Sequence, residues 1–285
     1  MAWKTLLSEQ FGAVLRITAN RPDVLNAQSW VLIHELDDAL KAAGTDDTVK
    51  VVIIAGAGKH FSAGHDLGSA EELEFQKTRK GERFVDEYDY LTKLYFETCM
   101  RWRDVPKPTI AQVQGYCIMG GMMLASACDI IMAAEDALFA DRAIRWGGPH
   151  VQYASLPWDL GPRKAKEYLF TGEFFTAAEA LKTGMVNHVV KRENLESETM
   201  ALAQKIAAND LFALRMAKLS VNETMDAMGQ RTALERSYKN YMLTIPHRQD
   251  LGTYGTKTRA TAAKDRFAIL NQKAGDQKAG VTKKS

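Results

Sequence analysis

The fold is decided by residues 109–145, which read TIAQVQGYCIMGGMMLASACDIIMAAEDALFADRAIR. The apolar run Thr109–Val113 predicts a buried strand, the pair Gly120–Gly121 a tight turn, and 122–127 a helix that leads into a second strand. Glycines let the backbone approach a ligand, and the first amides of a helix are unpaired and carry the positive end of its dipole. Such a turn can hold a negative oxygen, on a phosphate or on a carbonyl that becomes an enolate. Plain close packing is the alternative interpretation.

A second glycine turn follows another apolar run. Residues 49–55 (VKVVIIA) predict a buried strand that Gly56 ends, and the motif FSAGHDL follows at residues 61–67. Two such turns, each after a buried strand, could aim one backbone N–H apiece at a single carbonyl oxygen.

These motifs together resemble the enoyl-CoA hydratase/isomerase (crotonase) family. FSAGHDL, then GYCIMGGMMLASACDIIMA, then LFTGEFFTAAEALKTGMVNHVV (residues 169–190) occur in the family's order, and RITANRPDVLNAQSWVLIHEL (residues 16–36) matches its first strand, loop and helix. The resemblance covers roughly residues 3–245. It implies an α/β fold, a crotonase-like spiral of ββα turns with a helical C-terminal region, and a homotrimer or a dimer of trimers.

Composition bounds the function classes. The chain has 285 residues, 46% of them hydrophobic and 25% charged, with a net charge of +2, which is ordinary for a globular protein and does not favour a nucleic-acid partner. No apolar stretch approaches the length of a membrane span, and the N-terminus lacks the long apolar segment of a signal peptide. Cys99, Cys117 and Cys128 are odd in number and lie mostly in apolar contexts, and no Cys/His cluster has metal-ligand spacing. We therefore expect a cytoplasmic protein without a metal or a membrane partner.

The domain pattern predicts a core with an acyl-CoA site over residues 1–200, a helical region over 201–270 and a disordered, lysine-rich tail over 271–285. The spacing predicts helices over 30–43, 163–183, 195–209, 212–224 and 232–241. One further amphipathic helix is predicted from a stripe at three-to-four spacing, namely Phe84, Tyr88, Leu91, Tyr95, Thr98 and Trp102. The stripe could be core or subunit contact. In the family this segment borders the acyl pocket, which leads to the hypothesis of a bulky, cyclic or aromatic acyl group.

The resemblance also implies site residues. Aligned with the family pattern, the backbone amides of Ala63 and Gly120 are the oxyanion donors. The residues that match coenzyme A contacts are Arg21, Ala27, Ala63, His65, Asp66 and Leu67, with coenzyme A bound as part of the substrate and no separate cofactor. An exposed loop arginine is the alternative for Arg21, and Asp66 matches a position that looks structural. Charge alone suggests phosphate contacts for Lys257, Arg259 and Lys264.

The family's two acid–base glutamates are missing. Their positions hold Met123 and Ala143, which argues against ordinary enoyl-CoA hydration. His150, in the sequence GGPH, could act as a base or activate a water, and Asp141 could reach the same side of the loop from two residues before Ala143. An exposed loop histidine and a capping aspartate are the alternatives. His65 flanks the oxyanion site, although its side chain could face away.

Three functions follow from this pattern. The first is an acyl-CoA enzyme of the hydratase/isomerase type, a lyase or isomerase of fatty acid metabolism with relocated acid–base groups. The second is hydrolysis of a thioester or carbon–carbon bond through a water held by His150 or Asp141. The third is a binding or assembly protein with weak catalysis. The intact glycine turns favour the first two over the third, and the missing glutamates favour the second or third over plain hydration. We expect the first, with the precise reaction left open.

Overall fold

The computed structural model describes residues 3–78 and 83–250. Its main sheet has six strands in the order β1-β2-β3-β4-β6-β9, and a second sheet has the order β5-β7-β8. The strands are β1 (Leu6–Phe11), β2 (Val14–Ala19), β3 (Val51–Gly56), β4 (Thr109–Val113), β5 (Tyr116–Ile118), β6 (Ile130–Ala134), β7 (Leu138–Ala140), β8 (Phe175–Thr176) and β9 (His188–Val190). All main-sheet neighbours are parallel except β1 and β2.

The helices cover the sheets and form the C-terminal region. They are α1 (Trp30–Thr45), α2 (Ala70–Thr78), α3 (Phe84–Leu91), α4 (Glu97–Arg103), α5 (Gly120–Ala127), α6 (Leu156–Asp159), α7 (Pro162–Thr171), α8 (Ala177–Thr183), α9 (Leu195–Ala207), α10 (Leu211–Ala227) and α11 (Gln230–Asp250). Ser29 caps α1, because its side chain accepts a hydrogen bond from the amide of Leu32.

Burial explains which strands the sequence predicts. Every residue of β3 and of β4 is buried, since parallel strands are covered on both faces and read as continuous apolar runs. In β1 only Leu6 is buried. This strand pairs antiparallel with β2 at the sheet edge, and its sequence LLSEQF lacks the continuous apolar run that marks β3 and β4.

Two predicted helices are interrupted. The stripe from Phe84 to Trp102 is not one helix, because a π-helical turn over Thr92–Phe96 separates α3 from α4. The predicted helix over 163–183 is also wrong as a single element. Gly172 takes a left-handed conformation (φ 59°) that ends α7, and the short strand β8 precedes α8.

The C-terminal helices pack unequally on the core. Helix α11 contributes six buried residues, whereas α10 has none that is fully buried. None of the helices in the described part of the chain is both long and apolar enough to cross a membrane. The predictions for Lys257, Arg259, Lys264 and the 271–285 tail lie outside the described residues.

Candidate active site

The first turn (residues 61–67) and the second turn (residues 119–121) lie against each other. A Cβ added to Gly64 would lie 2.7 Å from the Cβ of Met119 and 3.1 Å from the amide nitrogen of Gly120. A Cβ added to Gly121 would lie 2.7 Å from the carbonyl oxygen of Ser62. Any larger residue at Gly64 or Gly121 would force the two turns apart, so the glycines allow this contact.

Backbone strain is concentrated at the same place. Among the residues that the structure describes, three non-glycine residues have positive φ: Leu25 (55°), Asn26 (52°) and Met119 (54°). Met119 precedes Gly120 directly, and its ψ of −116° lies far from the left-handed helical region. Such conformations cost about 1–3 kcal/mol each and occur often at functional sites. The strain therefore supports this region as the site.

Asn26 joins the loop before α1 to the first turn. Its fully buried side-chain amide donates to the carbonyl oxygens of Ala57 (2.9 Å) and His60 (2.7 Å). Its own carbonyl oxygen accepts a 2.9 Å hydrogen bond from the hydroxyl of Ser62. Because these bonds are buried, they hold the loop and the turn as one rigid unit.

The amide of Ala63, predicted as an oxyanion donor, has a partner within the fold. It donates a 2.9 Å hydrogen bond to the carbonyl oxygen of Leu25. On the same edge of the first turn, the amide of Gln28 donates to the carbonyl oxygen of Gly64 at 2.8 Å. The role of Ala63 stays a prediction, and it would require exchange of the bond to Leu25.

The amide of His65 is directed the other way. The amide of Asp66 donates to the carbonyl oxygen of Gln28 at 2.9 Å, and successive N–H groups of an extended segment point to opposite edges. On the opposite edge the first turn pairs with β5, where the amide of Ile118 donates to Ser62 at 3.1 Å. The carbonyl oxygen of Gly64 and the amide of Asp66 both face Gln28, so the amide of His65 between them faces away from that loop.

The six residues matched to coenzyme A contacts fall on two loops that pair with each other, namely Arg21, Ala27, Ala63, His65, Asp66 and Leu67. The guanidinium of Arg21 donates to the carbonyl oxygen of Ala27 and forms a 2.8 Å ion pair with Asp66. Its side chain is only 11% exposed, so the interpretation as an exposed loop arginine is wrong. Leu67 is half-buried.

Asp66 organises the end of the first turn. The amides of Gly68 and Ser69 donate to its carboxylate at 3.1 and 2.9 Å. Burial alone would raise the pKa of Asp66, but hydrogen bonds from these donors and from Arg21 hold it below its usual range. The carboxylate is therefore ionised and fixes the loop, which agrees with the structural interpretation of this residue.

The two positions of the missing glutamates lie in apolar surroundings. Met123 is 2% exposed and Ala143 is 4% exposed, and both belong to the main hydrophobic core. Met123 lies on the first turn of α5, two residues after Gly121. Neither position supplies a group that can transfer a proton.

Both oxygens of Asp141 are engaged by its own loop. One accepts a hydrogen bond from the amide of Ala143 at 3.0 Å and the other from the amide of Val151 at 2.8 Å. Burial raises the pKa of this carboxyl group. The carboxylate ties residues 141 and 151 together, which supports a loop-fixing role, and its catalytic role stays a prediction.

His150 is half-buried on the same loop. Its Nδ1 lies 2.7 Å from the carbonyl oxygen of Val151, so this nitrogen carries the proton and donates. Its Nε2 is then the acceptor in the neutral ring. The function predicted for His150 also stays a prediction.

The imidazole of His65 faces the second turn. A Cβ added to Gly120 would lie 2.7 Å from its Nδ1. Its Nε2 lies 3.2 Å from the side-chain oxygen of Gln152, and the Gln152 amide nitrogen donates to the hydroxyl of Tyr241 at 3.2 Å. The ring of Tyr95 lies 3.9 Å from the His65 ring, centroid to centroid. Sequence reasoning missed Gln152 and Tyr241 because no motif marks either residue.

A cavity of about 870 Å³ lies elsewhere, between α1, the π-helical turn and α11. Tyr88, Phe96 and Tyr238 are among its lining residues. None of the predicted site residues lines this cavity.

Comparison with known proteins identifies the family to which the chain is similar. The family model for enoyl-CoA hydratase/isomerase matches residues 9–257. EchA13 of Mycobacterium tuberculosis is 40% identical over 253 residues, which cover 83% of this chain and 78% of that protein. A "Probable enoyl-CoA hydratase" of Rhizobium meliloti is 35% identical over 269 residues, covering 91% of this chain and 98% of its own.

Solved structures support the fold in the same way. The crystal structure of a probable enoyl-CoA hydratase from Mycobacterium smegmatis has a TM-score of 0.82 and 41% identity, and the match covers 88% of this chain and 98% of that one. This similarity confirms the predicted crotonase-like α/β fold. The chain belongs to the enoyl-CoA hydratase/isomerase family.

Proposed function

We propose that this chain processes an acyl-CoA by stabilising the enolate of its thioester in a backbone oxyanion site. The contact between the two glycine turns, with a Gly64 Cβ position 3.1 Å from the amide nitrogen of Gly120, carries this proposal. Electron density drawn onto the thioester oxygen acidifies the α-carbon or makes the β-carbon electrophilic. Two fixed N–H donors stabilise that charge, and loss of one typically costs about 3–4 kcal/mol of barrier.

The amide of Gly120 is one donor, and the first turn supplies the other. Of its two candidates, His65 has the better support, because the amide of Ala63 is bonded to Leu25 while that of His65 faces away from the loop before α1. The positive end of the α5 dipole adds to the same field.

Coenzyme A enters only as part of the substrate, and no separate cofactor is needed. Among residues 3–78 and 83–250, no group of three His, Cys, Asp or Glu side chains could hold a metal ion. The paired loops that carry Arg21, Ala27 and Asp66 are the proposed contact for the coenzyme A portion. A cytoplasmic location stays a prediction from composition.

The acyl group is bulky or aromatic in this proposal. The rings of Trp30 and Phe75 stack at 4.5 Å, and Tyr90 lies 6.2 Å from Phe75 and 6.3 Å from Tyr95. This row of rings ends at His65, where Tyr95 contacts the imidazole. Aromatic walls of this kind suit a flat or cyclic acyl chain.

Hydrolysis has less support than enolate chemistry. It would depend on Asp141 or His150, and both oxygens of Asp141 already accept backbone hydrogen bonds. Hydration with two carboxylates has no support, because Met123 and Ala143 occupy the positions of the glutamates.

The proposal is tested by incubating the purified chain in D₂O with saturated, α,β-enoyl, β,γ-enoyl and β-ketoacyl-CoAs, each with a linear and an aromatic acyl group. Mass spectrometry and NMR then read the products. Deuterium at the α-carbon, a moved double bond or added water supports the proposal, and aromatic substrates should react faster. Free acid with free CoA would support hydrolysis instead. No change in any substrate contradicts an enzymatic function of this type.

A further inference from the structure

The position of the His65 side chain connects it to the proposed oxyanion site. Its Nδ1 lies 2.7 Å from where a Cβ of Gly120 would stand, so the ring edge rests on the second turn beside the amide that would bind the thioester oxygen. The α-carbon of a bound acyl group is one bond from the thioester carbonyl carbon. A base at this position is within reach of the proton that enolisation removes.

The hydrogen bonds of the ring select its basic nitrogen. The amide nitrogen of Gln152 donates to Tyr241, which directs the Gln152 oxygen at Nε2 of His65. A carbonyl oxygen can only accept, so Nε2 carries the proton of the neutral ring. The lone pair is then on Nδ1, the nitrogen that faces the second turn. Gln152 and Tyr241 thus set the tautomer of His65, because the hydrogen bond at one ring nitrogen decides which nitrogen of a histidine carries the proton.

A local departure from helical geometry holds the other side of the ring. In the π-helical turn over Thr92–Phe96, the amide of Glu97 donates to the carbonyl oxygen of Thr92, five residues earlier. Tyr95 lies in this turn, and its ring centroid is 3.9 Å from that of His65. Single π-helical turns of this kind are rare in proteins, and those that occur are often found at functional sites.

We propose that His65 is the proton-transfer residue of this site, in place of the two absent carboxylates, and a β,γ-unsaturated acyl-CoA shows the step most directly. This inference rests on the proposed function. Nδ1 takes one proton from the α-carbon, the C–H electron pair forms the enolate double bond, and the thioester oxygen carries the negative charge between the two amides. The imidazolium then gives the proton to the γ-carbon, which moves the double bond to the α,β position. One proton leaves and one returns, so a single base suffices, whereas hydration needs two groups.

The test compares His65→Ala with the wild type on a β,γ-enoyl-CoA. The variant keeps the backbone amide of residue 65, so it removes only the imidazole. We expect kcat to fall by about 10²–10⁴-fold, with KM changed less than about threefold. Added imidazole should then raise the kcat of the variant by about tenfold or more. His188→Ala is the matched control, since His188 is exposed at the start of β9 and its loss should leave turnover within about twofold.

A second pair of variants separates catalysis from packing. His65→Gln fills the space beside Tyr95 and can still bond to Gln152, but it cannot take up a proton, so it should lose activity as His65→Ala does without rescue by imidazole. Gln152→Leu should lower kcat by about tenfold, because both ring tautomers become populated.

Turnover of His65→Ala or His65→Gln within about threefold of the wild type overturns the assignment of His65. The assignment is also overturned if the activity lost in His65→Ala comes only from a change in KM, or if added imidazole does not restore any of it. An inactive wild type would instead overturn the proposed function, and the assignment with it.

Discussion

Position 64 has two requirements that only glycine meets together. Its φ is +91°, and a Cβ there would stand 2.7 Å from the Cβ of Met119 and 3.1 Å from the amide nitrogen of Gly120. We expect Gly64→Ala to destabilise the chain by about 2–3 kcal/mol and to abolish acyl-CoA turnover, because the two turns must separate. Urea unfolding and the D₂O exchange assay measure both effects.

Gly184 provides a matched control for that substitution. Its φ is +85°, and a Cβ there would meet nothing within 4 Å. Gly184→Ala should therefore cost only about 1 kcal/mol from backbone strain and should leave turnover unchanged. Equal losses of activity in the two variants would show that strain, and not the contact between the turns, is responsible.

Asp159 predicts a pH dependence of stability that is separate from catalysis. Its carboxylate accepts a 3.1 Å hydrogen bond from Ser126, and burial raises its pKa from 3.8 to about 6. The folded state therefore favours the protonated form, so this stabilisation is complete below pH 3.8 and is lost as the pH rises through 6. Asp159→Asn, which cannot ionise, should gain on the order of 2 kcal/mol relative to the wild type between pH 4 and pH 8.

The measurement is urea unfolding of both proteins at several pH values. Other titrating groups are the same in the two proteins, so their contributions cancel in the difference. A difference that does not change with pH would contradict the raised pKa of Asp159.

Among the elements, α4 holds the C-terminal helices through Arg103. Its guanidinium is 7% exposed and donates to Asp226 at 2.8 Å and to the side chain of Gln230 at 3.0 Å. We expect Arg103→Met to cost about 2 kcal/mol, because it removes these bonds from a buried guanidinium and leaves the half-buried acceptors of Asp226 and Gln230 without this donor. Arg231 also pairs with Asp226, but its side chain is 40% exposed, so Arg231→Met should cost less than about 1 kcal/mol. Urea unfolding of the full chain compares the two, and equal costs would contradict the role of burial.

Periodicity predicted the elements that bury one regular face. The strand over Thr109–Val113 and the helix that begins at Trp30 follow from their apolar patterns, and both are confirmed. The π-helical turn could not be predicted, since one added residue leaves the three-to-four spacing of Phe84 to Trp102 almost unchanged. Sequence motifs located the two glycine turns in the same way. They could not locate Gln152, which reaches His65 only because residues 87 positions apart in sequence meet in the fold.

At the scale of the whole molecule, the site depends on how α11 docks. Tyr241 of α11 orients Gln152, and Gln152 in turn orients His65. Arg103 therefore stabilises the site from a distance, since it fixes the start of α11 through Gln230. We expect Arg103→Met to lower turnover as well as stability, whereas Arg231→Met should not change turnover.

Helix α10 is the surface through which we expect copies of this chain to assemble. It has no fully buried residue, and Phe212 (64% exposed) and Leu219 (45% exposed) lie on one face, seven residues apart. Exposed apolar side chains on a helix that packs weakly on its own core are typical of a subunit interface. This supports the trimer or dimer of trimers that the resemblance implies.

The double variant Phe212→Asp/Leu219→Asp should convert the assembly to monomers, because two carboxylates cannot be buried unpaired at an apolar contact. Ser220→Asp/Thr224→Asp is the matched control. It places the same two charges on another face of α10, where both residues are exposed, and should leave the assembly intact. Light scattering after size-exclusion chromatography reads the mass of each protein against the 31.7 kDa chain. A monomeric wild type would contradict the assembly itself, and an unchanged mass in the first variant would contradict α10 as its interface.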